Sequence, residues 1–249
     1  ILSASGAMEM PEFNSGKIAL ISQSGGIHGS LLSRAMARGI GFSKLIATGN
    51  EADLEVADFL DAIADDDATS VVALYLETIR DINKFRIAVR RVAEAGKRIV
   101  VYKIGRSESG ANAAVSHTGA LAGAAKVYDA LFDQLGIIRA ETFADLLDIP
   151  AALASGRTMA GKRVAIVTST GGAATIVADN IGLTDLEIPK PGPATAEKLL
   201  ALDLNDAVLD RNPIDVTLAG LRPDLFRDMQ GIDPIHPLVR VLNHIKASG

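Results

Sequence analysis

Apolar residues recur along the chain in two alternating rhythms: short unbroken runs, and longer stretches with an apolar position every three or four residues. The runs are Lys17–Ser22, Lys44–Ala47, Val71–Leu76 and Arg98–Ile104 (RIVVYKI), with a shorter one around Gly136–Arg139. Apolar and β-branched, they predict strands buried between helices. The periodic stretches predict helices near Ile27–Arg38, Leu54–Ala64, Ile82–Ala95, Leu121–Gln134 and Thr142–Ala154. In the fourth, Leu121, Val127, Leu131 and Leu135 fall on one face and Gly136 is the stop. Strand and helix alternating in this way imply a mostly parallel sheet with right-handed crossovers. Ligands bind such sheets at the C-terminal strand ends. The loops there are Gln23–Gly26, Thr48–Glu51, Glu77–Arg80 and the one ending at His117, and they are expected to converge.

The opening strand and turn come twice. Gly16–Gly26 (GKIALISQSGG) resembles Gly161–Gly172 (GKRVAIVTSTGG), each a polar lead-in, a short apolar strand, a hydroxyl-and-glycine turn and a helix start. The second helix is expected over about Ala173–Asn180. Two such starts predict two related α/β domains. They are doubly wound and parallel, over 16–157 and 161–249, with the boundary in Ala154–Ala160.

Composition narrows the class. The 249 residues suffice for one large or two ordinary domains. Hydrophobic content is 48% but aromatic content only 4%, so the core is built from Ala, Val, Ile and Leu, as a helix-covered parallel sheet requires. A net charge of −5 without basic clusters argues against nucleic acid. With no cysteine, disulfides, thiolate zinc sites and a cysteine nucleophile are excluded. No apolar run reaches the roughly 18 residues of a membrane helix, and a cytoplasmic protein is expected.

The candidate chemistry centres on Ser116–Gly123 (SHTGALAG), which puts His117 among small residues where a helix begins. A helix start offers unpaired N–H groups and positive dipole character, and both favour a phosphate. A lone loop histidine commonly acts as a cap; here the small neighbours and the flanking Ser116 and Thr118 favour a phosphoryl acceptor. Ser24-Gly25-Gly26 reads either as an anion cradle or as a tight turn that needs glycines. Glu77 ends an apolar strand, so it is either a solvated strand end or a carboxylate that orients the His117 ring. The helix start disfavours imidazolium while a nearby carboxylate favours it, so the charge of His117 stays open. Asn50, beside Gly49, lines the crevice or serves as a turn residue tolerant of unusual φ. Asp65-Asp66-Asp67 reads as a solvated helix end, no metal site is expected, and His28, His236 and His244 have no ligand-spaced partners.

SQSGG, the strand followed by GNEAD, YLE and SHTGALAG stand in an order that resembles the NDP-forming acyl-CoA synthetases, relatives of the succinyl-CoA synthetase α-subunit. Arg211–Thr217 (RNPIDVT) looks like a further motif of that family. The resemblance implies two flavodoxin-like domains: 16–157 carrying a phosphohistidine, and a second ligase domain in 161–249. It implies a reversible reaction of acid, ATP and CoA through an acyl phosphate, with His117 as phosphoryl carrier and Glu77 as its orienting carboxylate. Ser24, Gly25 and Gly26 would then face phosphate, Gly119 and Ala120 would supply helix-start amides, and Gly49 and Asn50 would border the acyl group. CoA, ATP or ADP and magnesium would be bound mainly by a CoA-binding domain and an ATP-grasp domain, on the same or separate subunits, with nothing held tightly by this chain alone. A small carboxylic acid is the implied substrate, and relatives assemble as dimers or heterotetramers.

Residues 1–15 look like the trailing end of a preceding CoA-binding domain. After Phe226-Arg227-Asp228 the pattern calls for an apolar strand, and Met229–Pro237 contains none, so the second domain is expected to be incomplete. Two other readings compete. One is a ligand-sensing regulatory module, such as occurs fused to acetyltransferases, against which the presence of both His117 and Glu77 argues. The other is a flavin or nucleotide carrier, for which the few aromatics and no tryptophan supply little stacking surface.

Overall fold

The computed structural model describes residues 14–107, 109–110, 125–202, 207–217, 242 and 245. The chain divides into two compact units, Ile1–Arg157 and Thr158–Gly249. In the first, strands β1 (Ser15–Ser22), β2 (Phe42–Ala47), β3 (Val71–Leu76), β4 (Arg98–Lys103) and β5 (Ile138–Arg139) form a parallel sheet in the order β2-β1-β3-β4-β5. That is the flavodoxin-like doubly wound order, which reverses between β1 and β3. Helices α1 (Gly25–Ala37), α2 (Val56–Ala64), α3 (Ile82–Glu94), α4 (Ala125–Leu135) and α5 (Asp145–Ala154) connect and follow the strands.

Side-chain alternation along each strand divides the core in two. Ala19, Ile21, Leu74, Leu76 and Val101 pack with Leu60, Phe85, Val89 and Phe132 on the α2–α3–α4 face. Ile18, Leu20, Ala73 and Val100 pack with Leu31, Leu32, Leu146 and Leu147 on the α1–α5 face. All six residues of β3 are buried, which explains its unbroken apolar sequence. Burial of each large side chain stabilises the fold by about 1.5–3 kcal/mol. At the entry to β1 the backbones of Gly16 and Gly41 approach so closely that a Cβ on either would overlap main-chain atoms of the facing segment.

The helical face of α4 differs from the expectation. Val127 is 67% exposed, while Phe132 is buried and Tyr128, Leu131 and Leu135 pack beside it. Steps of four residues rotate around a helix by about 40°, so a stripe at 127, 131 and 135 drifts; the 128-131-132-135 set keeps one face. Gly136, at φ +65°, does stop this helix. Leu121 lies outside the described residues. α5 starts at Asp145 because residues 141–144 form a turn, in which the Asp145 carboxylate accepts from the amides of Glu141 and Thr142.

In the second unit β6 (Val167–Thr168) pairs in parallel with β7 (Ile214–Asp215), and helices α6 (Gly171–Gly182) and α7 (Pro193–Leu200) accompany them. Leu199, Leu209, Ile214 and Val216 form its core among the described residues. Asn212, from the RNPIDVT segment, donates to the carbonyls of Val164 (2.8 Å) and Pro189 (3.0 Å) and accepts from the amide of Ile166 (2.9 Å). The stretch Met229–Pro237 lies outside the described residues.

Candidate functional site at the sheet switch point

A doubly wound sheet opens its crevice where the strand order reverses. There the chain leaves β1 through Gln23 and Ser24, and leaves β3 through Glu77 and Thr78. Ser22 Oγ donates to the Ser24 carbonyl (2.8 Å) and accepts from the Ser24 amide (3.1 Å), closing a tight turn. Ser24 Oγ then caps α1 by accepting from the amide of Ile27 at 3.4 Å. The amides of Gly25 and Gly26 precede the helix's own hydrogen-bond ladder, and no acidic residue sits in the first turn of α1. Around Gly26 there is open space where a side chain would be. A ligand can therefore approach this backbone closely, and the helix end favours an anion.

Glu77 follows directly on β3 and is half-buried. Gln23 holds its backbone: Oε1 accepts from the amides of Glu77 (2.5 Å) and Thr78 (3.0 Å), and Nε2 donates to the Thr78 carbonyl (2.9 Å). The loop after β2 joins the same edge. The Thr48 amide donates to the Ser22 carbonyl (2.9 Å) and Arg80 donates to the Asn50 carbonyl (2.5 Å). Three of the four expected loops thus lie together. The left-handed positions of the β2 loop are Gly49 (φ +60°) and Glu51 (φ +53°), so the φ-tolerant role considered for Asn50 falls on its two neighbours. The buried Glu51 carboxylate accepts from Thr48 Oγ1 and the Val56 amide, which holds this unfavourable conformation in place. Gly49 and Asn50 themselves are exposed.

Two ionisable neighbours feel the Glu77 charge. Lys103, the last residue of β4, is only 7% exposed; its ammonium donates to the Ile104 carbonyl (2.6 Å) and lies 4.5 Å from the centre of the Tyr128 ring. Burial pulls its pKa down to about 8, against the opposing pull of Glu77. Burial, the negative Glu77 and then Tyr102 push the Tyr75 phenol up to about 12. On α1, His28 is buried with neither ring nitrogen hydrogen-bonded, and desolvation lowers its pKa.

His117, Gly119 and Ala120 lie outside the described residues, as do His236 and His244. In the Asp65–Asp67 run, Arg91 pairs with Asp65, and Asp66 with Lys44 and Thr69. Among the described residues no group of three or more His, Cys, Asp or Glu is placed to hold a metal ion, and no helix is long and apolar enough to cross a membrane. Sequence reasoning assigned no role to Gln23 or Lys103. A polar amide that bridges 55 positions leaves no periodic signal; Lys103 does leave one, as a cation set between Tyr102 and Ile104 in an apolar run whose other cation, Arg98, stands at its exposed start.

Residues 15–153 match the model of the succinyl-CoA ligase like flavodoxin domain. The chain belongs to that family. It is 36% identical over 212 residues to the ADP-forming acetate–CoA ligase II subunit alpha of Pyrococcus furiosus, covering 85% of this chain and 46% of that protein. It is 41% identical over 166 residues to the ADP-forming 4-hydroxybutyrate–CoA ligase of Nitrosopumilus maritimus, covering 66% and 24%. Its fold superposes on the dinucleotide-forming acetyl-coenzyme A synthetase 1 of Ca. Korarchaeum cryptofilum, solved with phosphate and ADP, with a TM-score of 0.75 and 31% identity over 96% of this chain and 55% of that one. The family resemblance drawn from SQSGG, YLE and SHTGALAG is borne out. The chain spans about half the length, or less, of these relatives.

Proposed function

We propose that this chain is the phosphohistidine-bearing part of an ADP-forming acyl-CoA synthetase, an acid–thiol ligase. The observation that carries the reading is the meeting of the Ser24–Gly26 helix start and Glu77 at the switch point, in a chain of this family. His117 is the phosphoryl acceptor. A ring nitrogen attacks the phosphorus of an acyl phosphate, forming an N–P bond as the P–O bond to the acyl group breaks and the carboxylic acid leaves as its anion. ADP then takes the phosphoryl group: an N–P bond breaks, and imidazole is regenerated. Glu77 accepts a hydrogen bond from the other ring nitrogen and fixes the tautomer. The amides at Gly25 and Gly26, and those at Gly119 and Ala120, stabilise the phosphoryl oxygens, each helix start contributing about 0.3–1 kcal/mol, rising toward ~2 when partly buried. Gly49 and Asn50 border a small carboxylic acid. CoA, nucleotide and magnesium are held by CoA-binding and ATP-grasp domains or subunits, in keeping with the subunit-alpha designation of the Pyrococcus furiosus relative.

The test is phosphorylation of the intact parent protein with Mg-ATP. An acid-labile, alkali-stable phosphoryl group present in the wild type and absent from His117→Ala supports the relay. An unlabelled wild type with a folded nucleotide-binding domain removes it and favours a ligand-sensing module.

A further inference from the structure

We propose that Gln23 is a positioning residue for Glu77, its side-chain amide acting as a surrogate strand edge that fixes the carboxylate at the crevice. The inference rests on the relay reading above. The β1–β3 pairing runs to Ser22 opposite Tyr75, and the Gln23 amide adds one last main-chain bond, to the Tyr75 carbonyl at 3.2 Å. Beyond that point β1 turns away into α1, so the peptide groups of Glu77 and Thr78 lose their neighbour on that side. The Gln23 side chain replaces it, one oxygen taking both amides and the NH2 group returning to the Thr78 carbonyl. The two amides on that oxygen belong to the peptide groups on either side of the Glu77 Cα, so both are held and the carboxylate has only its own side-chain torsions to search.

The second unit shows that the turn itself does not require glutamine. Thr168 Oγ1 donates to the Thr170 carbonyl (3.1 Å) and accepts from the Thr170 amide (3.2 Å), reproducing the Ser22–Ser24 turn with Ser169 in the middle position. Gln23 is 7% exposed, so its bonds compete little with water. Its long amide is therefore placed for the loop after β3, not for the turn it sits in.

The test measures single-turnover phosphorylation of the intact parent protein by Mg-ATP, per folded molecule, in wild type, Gln23→Met, Glu77→Gln and the double variant. Gln23→Met is expected to slow labelling by about 10–100-fold, the scale of a misplacement of about 1 Å. The ATP concentration for half-saturation stays unchanged. In the Glu77→Gln background the same change adds little, because the carboxylate it positions is gone. A wild-type rate in Gln23→Met, or a full additional loss on top of Glu77→Gln, overturns the inference and leaves the relay reading standing. An unlabelled wild type overturns both. If Gln23→Met does not fold, Gln23→Asn decides: it adds no charge, its amide is one methylene too short to span to Thr78, and labelling should slow about tenfold, whereas a wild-type rate refutes the positioning role.

Discussion

The stability of the first unit should rise with pH above about 8, and Lys103 is the cause. Its ammonium ends a strand inside the core and meets one carbonyl and one aromatic ring. In the unfolded chain this amine holds its proton up to the ordinary 10.5, whereas in the fold it releases it near 8. Between these values the unfolded state binds more protons, so unfolding takes up protons and stability increases with pH; below about 8 the full cost of the buried charge is present. At ~1.36 kcal/mol per unit the whole window is worth about 3 kcal/mol, and the part between pH 8 and 9.5 about 2 kcal/mol. Tyr75 acts oppositely but later: its phenol stays protonated to about 12, so stability falls only as the unfolded tyrosines ionise, from about pH 10 upward. The assay is urea denaturation of wild type and Lys103→Met from pH 7 to 9.5, followed by tyrosine fluorescence. All three tyrosines, Tyr75, Tyr102 and Tyr128, belong to the first unit, and the chain has no tryptophan. The substitution also removes the bond to Ile104 and the contact with Tyr128; the part of these that depends on the charge already belongs to the folded-state pKa, and the rest shifts the difference at every pH alike. The change of the difference with pH isolates the charge. Wild type should gain about 2 kcal/mol on Lys103→Met across the window. A difference constant within ~0.5 kcal/mol would show the ammonium charged throughout, and the burial argument would fail.

Three further outcomes are expected. Gly26→Ala, in open space on the first turn of α1, should keep or raise stability by up to ~1 kcal/mol, while phosphorylation of the parent protein falls; thermal melting and labelling on the same sample compare the two. Gly16→Ala drives a Cβ into the main chain at Gly41 and should cost about 1–3 kcal/mol in urea denaturation, with an unchanged midpoint counting against that close approach. Asn212→Ala removes three hydrogen bonds from the second unit and should cost about 2–3 kcal/mol, read as faster amide exchange at Ile166.

Much of the fold was legible because strand and helix periods are local properties. β3 matched its expected bounds at both ends because every residue in it is apolar and every one is buried. Glu77 at a strand end was readable for the same reason: a carboxylate closing an apolar run has to leave the sheet. The face of α4 was misjudged because counting Val127 with Leu131 and Leu135 ignored which ridge the aromatic pair Tyr128 and Phe132 would claim.

By itself, then, the sequence determined the alternation of elements, the parallel sheet, the hydroxyl-and-glycine turns and the family, since each is written in residues close along the chain. Tertiary structure alone decided which side chains the β2-β1-β3-β4-β5 sheet brings beside Glu77. Gln23 reaches Thr78 because β1 and β3 lie side by side, and Lys103 feels Glu77 because β4 flanks β3. The physical reason is range: periodicity acts over a few residues, whereas hydrogen bonds and charges act over a few ångströms, and only the packed sheet turns one distance into the other.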